Sequence, residues 1–141
     1  MIYTLDTNII IDALRQPTEL ERFKAFLGWA LPSTVLSSVV AMELTQGART
    51  PKAREVLADQ FLAPFERRGR IHVPSAAVWR RAGTVLAVAP GAPTAARQND
   101  VLVACQARES GWIVITRDAD FTALRRTVRG LALAAPYPAR P

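Results

Sequence analysis

The segment that decides the fold is Ile2–Arg15, IYTLDTNIIIDALR. Its first four residues predict a short apolar strand that ends before Asp6. The following residues predict a helix over 8–14, which Gln16–Pro17 ends because proline disfavours helix in the residue before it. A strand that leads directly into a helix is typical of an α/β fold with a parallel sheet.

Apolar runs elsewhere predict four more short strands, of which WIVIT at 112–116 is the clearest. The other three are expected over residues 34–36, 71–73 and 131–134. A chain of 141 residues has the length of one domain. We therefore expect an α/β fold with a central parallel β-sheet of about five strands flanked by α-helices, over residues 1–135. Residues 136–141 are expected to form a flexible C-terminal tail.

Helix boundaries are predicted from capping residues and from helix breakers. Thr18 and Glu21 are predicted to form a capping box at the start of the second helix. Asn99 is predicted to cap the helix that contains VLVACQARES, after a long loop over 89–98 with the sequence APGAPTAARQ. The remaining helices are expected to begin at Ser37 or Ser38, at Pro51, at Pro74 and after Asp120.

The composition excludes several classes of protein. Cys105 is the only cysteine and His72 the only histidine, which excludes an internal disulfide, multi-cysteine or multi-histidine metal sites and a two-histidine ribonuclease mechanism. No apolar run approaches the ~20 residues needed to span a bilayer, and the N-terminus lacks a signal-peptide pattern. We therefore expect a cytoplasmic protein with no membrane partner. The 18 basic residues outnumber the 12 acidic ones and give a net charge of +6, which favours a polyanionic partner.

Four acidic residues occupy positions that suggest chemistry. Asp6 and Asp118 follow predicted strands, while Asp100 and Glu43 lie near the beginnings of predicted helices. In a parallel sheet the carboxyl ends of strands and the N-terminal ends of helices share one edge, so we expect the four acids to converge there. Clustered carboxylates repel one another, and a hard divalent cation such as Mg²⁺ or Mn²⁺ relieves the repulsion.

A basic protein with an acidic, metal-binding pocket is suited to hydrolysis of a nucleic-acid phosphodiester. The metal ion neutralises the scissile phosphate and activates a water molecule, while arginine side chains hold the flanking phosphates. Arg117 is the basic residue nearest to the predicted metal ion and is the best single candidate for contact with substrate phosphate.

Four motifs, in order along nearly the whole chain, resemble those of PIN-domain nucleases and, more narrowly, of the VapC-type toxins of bacterial and archaeal toxin–antitoxin pairs. They are LDTNIIID, SSVVAMELTQGA with Glu43, NDVLVACQA with Asp100, and ITRDADF with Asp118. The resemblance implies a Mg²⁺- or Mn²⁺-dependent endoribonuclease that cleaves RNA and thereby inhibits translation and growth. It also implies a homodimer and a cognate antitoxin whose C-terminal segment covers the active site.

The resemblance further assigns roles to residues at the matching positions. Asp6 and Asp100 would be the principal metal ligands, and Glu43 and Asp118 would complete the catalytic acidic set. Asp120 is an optional fifth member, because it lies nearer to Asp118 than in many relatives. Three neighbours in the same motifs would orient the ligands or a water molecule: Thr7, Asn8 and Thr116.

Structural alternatives exist for these acids, and two other functions stay open. Asp100 could complement a helix dipole, Glu43 could form a buried salt bridge to an arginine, and Asp118 with Asp120 could form a polar turn. One alternative function is a catalytically silent PIN-like module that binds RNA or a protein partner. The other is an aspartate-nucleophile phosphohydrolase, which fits poorly because Asn8 stands where such enzymes have a second Asp.

Overall fold

The computed structural model describes residues 1–141 and contains one five-stranded sheet. The strands are β1 (Ile2–Leu5), β2 (Thr34–Ser37), β3 (Ile71–His72), β4 (Trp112–Ile115) and β5 (Ala132–Ala134). All neighbouring strands are parallel, in the order β3-β2-β1-β4-β5. The predicted α/β class with a five-stranded parallel sheet is therefore confirmed.

Helices connect the strands and flank the sheet. They are α1 (Thr7–Arg15), α2 (Pro17–Ala30), α3 (Ser38–Gly47), α4 (Pro51–Val56), α5 (Ala63–Glu66), α6 (Ala76–Val88), α7 (Ala95–Ser110) and α8 (Ala119–Leu124). A π-helical segment, Leu57–Leu62, joins α4 to α5, so the helix predicted to begin at Pro51 consists of three parts. None of the helices is both long and apolar enough to cross a bilayer.

Two predicted helix starts are wrong. α2 begins at Pro17, so Thr18 is not its cap, because the fixed φ angle of proline suits the first helical position. α7 begins at Ala95 instead of after Asn99, and the Thr94 side chain caps it. The alanines, arginine and glutamine that follow Thr94 are good helix formers, so they extend the helix into the predicted loop.

Other short polar side chains cap helices close to the predicted positions. Ser37 caps α3 by accepting a hydrogen bond from the Val39 amide. The helix predicted from Pro74 begins two residues later and is capped by Ser75. The last helix begins before Asp120, because Asp118 is its cap.

The core is one continuous cluster of 33 buried hydrophobic residues, and it includes Cys105, as expected for a small apolar side chain. Residues beyond β5 also contact the domain. The Tyr137 ring stacks on Phe26 with 5.2 Å between ring centroids, and Arg22 donates a hydrogen bond to the Pro136 carbonyl. The domain boundary at residue 135 and the flexible tail stay predictions.

The strand order determines where the functional edge of the sheet lies. From β1 the chain moves to β2 and β3 on one side and returns to β4 on the other, so the switch point is between β1 and β4. Ligands of open α/β sheets bind at the carboxyl ends of the strands at such a point. Here the Asp6 amide donates to the Ile115 carbonyl at 3.1 Å, which ties the ends of the two strands together.

Candidate metal centre

Asp100 lies beyond the first turn of α7, close to several other acids. Burial, together with repulsion by four neighbouring carboxylates, raises the pKa of Asp100 to about 7. The four neighbours are Asp6, Glu43, Asp118 and Asp120. Because the helix dipole acts mainly within the first turn, the earlier start of α7 weakens the dipole explanation for this residue.

Three of these acids come especially close together. Carboxylate oxygens of Asp100, Asp118 and Asp120 lie within 4.8 Å of one another. Asp118 Oδ1 also accepts a hydrogen bond of 2.9 Å from the Asp120 amide, so the polar-turn alternative is present as well. That turn uses only one oxygen of Asp118. Asp120, predicted only as an optional member, belongs to this group of three.

Asp6 is buried directly after β1 and is held by Thr116. The Thr116 hydroxyl donates to Asp6 Oδ2 at 2.9 Å and accepts from the Asp118 amide at 2.9 Å. One threonine therefore links the acid that follows β1 to the acid that follows β4. Burial raises the pKa of Asp6 to about 6, opposed by the Thr116 hydrogen bond and assisted by repulsion from Asp118 and Glu43.

Glu43 reaches the same region from α3. The Thr7 hydroxyl donates a hydrogen bond of 2.9 Å to Glu43 Oε1, and Thr7 directly follows Asp6. No arginine or lysine forms a salt bridge with Glu43, so the salt-bridge alternative is wrong. Asn8 lies exposed in the first turn of α1, outside these hydrogen bonds.

Arg117 is bound to acids outside this group. Its Nη1 pairs with Asp12 Oδ2 at 2.9 Å, and its Nη2 pairs with Glu19. The two ion pairs engage both terminal nitrogens, so they give no support to the phosphate contact predicted for Arg117. The position of Arg117 beside Asp118 in the sequence does not predict these partners. They depend on how α1 and α2 pack near the end of β4.

The donor set fits a hard divalent cation. Asp100, Asp118 and Asp120 are close enough to share one ion, and Asp6 and Glu43 lie outside that group of three but near enough to raise the pKa of Asp100. None of the five forms a salt bridge with a basic side chain. Burial and, after it, mutual repulsion raise the pKa values of Asp6 and Asp100, and a bound cation would neutralise the carboxylate charge that is disfavoured there. The donors are all oxygens, a chemistry that suits Mg²⁺ or Mn²⁺ better than zinc.

The Thr116 bridge leads to a first prediction. The Thr116→Val variant keeps the shape of the side chain but removes both hydrogen bonds, so we expect it to lower the free energy of unfolding by about 1–2 kcal/mol. We also expect an affinity for Mg²⁺ that is at least about tenfold weaker, because Asp6 loses the contact that orients it. Urea unfolding and calorimetric Mg²⁺ titration measure these effects. Thr122→Val, at an exposed threonine of α8, is the control, and equal Mg²⁺ affinities of the two variants would contradict the prediction.

Comparisons with known proteins identify relatives of this fold. The PIN domain family model matches residues 3–127. One chain of the crystal structure of FitAcB from Neisseria gonorrhoeae is 26% identical, with a TM-score of 0.69, over 99% of this chain and 100% of that chain. A chain of FitAB bound to an IR36 DNA fragment is 27% identical, with a TM-score of 0.70, over 100% of this chain and 99% of that one.

A more distant relative shares the fold. A chain of DNA-bound VapBC from Salmonella typhimurium is 21% identical, with a TM-score of 0.68, over 97% of this chain and 99% of that chain. A comparison with curated proteins gave no significant match.

Proposed function

The chain belongs to the PIN domain family, and from this membership we propose that it is a Mg²⁺- or Mn²⁺-dependent endoribonuclease, the toxin of a VapBC-type toxin–antitoxin pair. The observation that carries the proposal is a group of three carboxylates within 4.8 Å of one another, with two further acids near enough to raise the pKa of Asp100 and no basic partner for any of the five. The net charge of +6 supports a polyanionic substrate, since basic side chains outside the cluster attract the RNA backbone.

The proposed roles follow from the contacts of each side chain. A divalent cation bound in the cluster would lower the pKa of a water molecule and neutralise charge on the scissile phosphate. Thr116 and Thr7 donate hydrogen bonds to the carboxylates of Asp6 and Glu43, which restricts the orientations of these two side chains. The residues proposed to hold the cation are Asp6, Glu43, Asp100 and Asp118, with Asp120 as an additional ligand.

Metal removal tests the proposed activity. The purified protein should cleave a mixed-sequence RNA in the presence of Mg²⁺ or Mn²⁺. Cleavage should stop when EDTA is added and resume when Mg²⁺ is restored in excess. Because water is proposed to attack phosphorus in place of the 2′-hydroxyl, the products should lack 2′,3′-cyclic phosphate ends. Cleavage that continues in EDTA contradicts the metal requirement. RNA binding without cleavage in any of these ions favours the catalytically silent module.

An antitoxin and a second copy of the chain are the proposed protein partners. The similarity of this chain to chains of FitAcB and VapBC supports the antitoxin partner. An apolar groove of about 450 Å³ lies beside Glu43, between α1, α3 and α4, where a bound segment would cover the site. The homodimer is proposed from the family resemblance, with the half-exposed Trp79 on α6 as a candidate contact. Sedimentation analysis tests it, and a monomer at micromolar concentration would contradict it.

A further inference from the structure

Three cavities border the acid cluster, and they differ in charge. The groove beside Glu43 is mainly apolar. A cavity of about 400 Å³ beside Asp118 contains Arg117, whose guanidinium is already paired with carboxylates, and Arg125. The third cavity, of about 440 Å³, contains two members of the acid cluster and two arginines that form no salt bridge. This third cavity, named here the α7–α8 cavity, lies between the loop over residues 89–94, α7 and α8.

We propose that the α7–α8 cavity binds the RNA nucleotide adjacent to the scissile phosphate, with Arg97 and Arg126 contacting its phosphate oxygens. The inference rests on the proposed function, because it assigns a place to the substrate of the same site. Asp100 and Asp120 form the wall that the cavity shares with the acid cluster, so a nucleotide in it is next to the place where the bond is cut.

The loop holds Arg97 in position. The Arg97 Nη2 donates a hydrogen bond of 3.0 Å to the Ala89 carbonyl, which uses one of the five guanidinium donors. Gly91 has φ +149°, and a Cβ built there would collide with the Arg97 guanidinium. The side chain therefore lies directly against the glycine backbone. A larger residue at position 91 would be strained by this φ angle and would displace the Arg97 guanidinium. A guanidinium held in this way loses little conformational entropy when it binds a phosphate.

Arg97 and Asp100 are three residues apart on α7, so they lie on the same face of the helix. A phosphate that approaches a cluster of five acids is repelled unless cations lie next to its path. Arg97 supplies one such cation and Arg126, an exposed residue beyond α8, supplies another from the same cavity. The remaining walls include alanines, Pro90 and Leu124, which suit contact with a ribose or the face of a base. The volume is within the ~300–1,000 Å³ that small-molecule sites occupy.

The test measures RNA binding separately from cleavage. In an Asp6→Asn background with Mg²⁺, fluorescence anisotropy follows a labelled single-stranded RNA of mixed sequence. Arg126→Gln should weaken binding about tenfold, because one charged hydrogen bond is lost. It should also reduce the slope of log binding constant against log salt concentration by about 0.7. Ala123→Trp, which fills the cavity from an exposed position without changing charge, should weaken binding at least as much. Arg80→Gln on α6, an exposed arginine outside the three cavities, is the matched control and should bind within about twofold of the parent.

The outcomes separate this inference from the proposed function. If Arg126→Gln and Ala123→Trp both bind RNA as tightly as Arg80→Gln, or if the parent binds no RNA, the assignment of the α7–α8 cavity is wrong. Failure of the wild-type protein to cleave RNA in Mg²⁺ instead overturns the nuclease proposal, and that result comes from a different assay.

Discussion

Replacement of Asp6 by Asn should reduce RNA cleavage by roughly two to three orders of magnitude, because it removes a buried negative charge from the proposed cation site. Loss of one such electrostatic contact in an active site typically costs ~3–4 kcal/mol of transition-state stabilisation. The asparagine amide oxygen can still accept the Thr116 hydroxyl, so the link to β4 is preserved. Initial rates on a defined RNA, measured in Mg²⁺, give the ratio. The same variant expressed in a bacterial host should not arrest growth.

Asp59→Asn is the matched control for this experiment. Asp59 is an exposed acid in the π-helical segment, so the change removes the same charge outside the cluster and should leave the cleavage rate within about twofold. Circular dichroism and RNA binding should be unchanged in Asp6→Asn. A variant that cleaves RNA as fast as the parent would contradict both the metal role of Asp6 and the hydrolase assignment.

The second large effect expected of Asp6→Asn is on stability. The variant should be more stable than the parent, although it should be less active. The ordinary pKa of an aspartate is 3.8, whereas burial and neighbouring acids raise those of Asp6 and Asp100 to about 6 and about 7 in the folded protein. At a pH between the ordinary pKa and the raised pKa, each of these carboxyl groups keeps its proton in the folded protein but has lost it in the unfolded chain. The free energy of unfolding of the metal-free protein therefore falls as pH rises from about 4 to about 7.

The shift at Asp6 corresponds to about 3 kcal/mol, and that at the less buried Asp100 contributes less than its size implies because solvent screens it. Asp6→Asn should accordingly be more stable than the parent by up to about 3 kcal/mol at pH 8 and equal to it at pH 4. That difference is roughly 10 °C in Tm. Comparing variant and parent at each pH cancels the titration of all other groups.

Divalent metal supplies the complementary measurement. Excess Mg²⁺ should raise the Tm of the parent at pH 8, since binding to the folded state alone adds about 2.7 kcal/mol at a hundred times Kd. The same ion should have little effect at pH 4, where the acids are protonated, and little effect on an Asp6→Asn, Asp100→Asn double variant. A parent whose stability is independent of Mg²⁺ at pH 8 would mean that the cluster holds no such ion.

The sequence was sufficient for the class of fold and for the region of the site, for identifiable reasons. Apolar runs of three to five residues mark strands, and a carboxylate directly after β1 or shortly after β4 must lie near their carboxyl ends. Glu43 interrupts the apolar stretch VVAMEL, and an acid at such a position indicates a site or a buried ion pair. These inferences depend only on local patterns and on the geometry common to parallel sheets.

The remaining features depend on packing that local patterns do not encode. The sequence misplaces the start of α7 because Asn99 is a better N-cap residue than Thr94, and the small residues around Pro93 resemble a loop. The partners of Arg117 come from α1 and α2, and the hydroxyls of Thr7 and Thr116 select their acids only after the chain has folded. The proximity of Asp120 to Asp100 likewise depends on where α8 begins.

The five carboxylates are distributed from position 6 to position 120, on elements that are adjacent only in the finished sheet. A nascent chain that ends before β4 has neither Asp118 nor Thr116, which anchors Asp6, so the acid cluster is complete only after most of the chain has been synthesised. A fragment that ends before β4 would therefore lack the proposed cation site. The proposed endoribonuclease would become active only when its synthesis is almost over, which would limit damage to the cell that makes it.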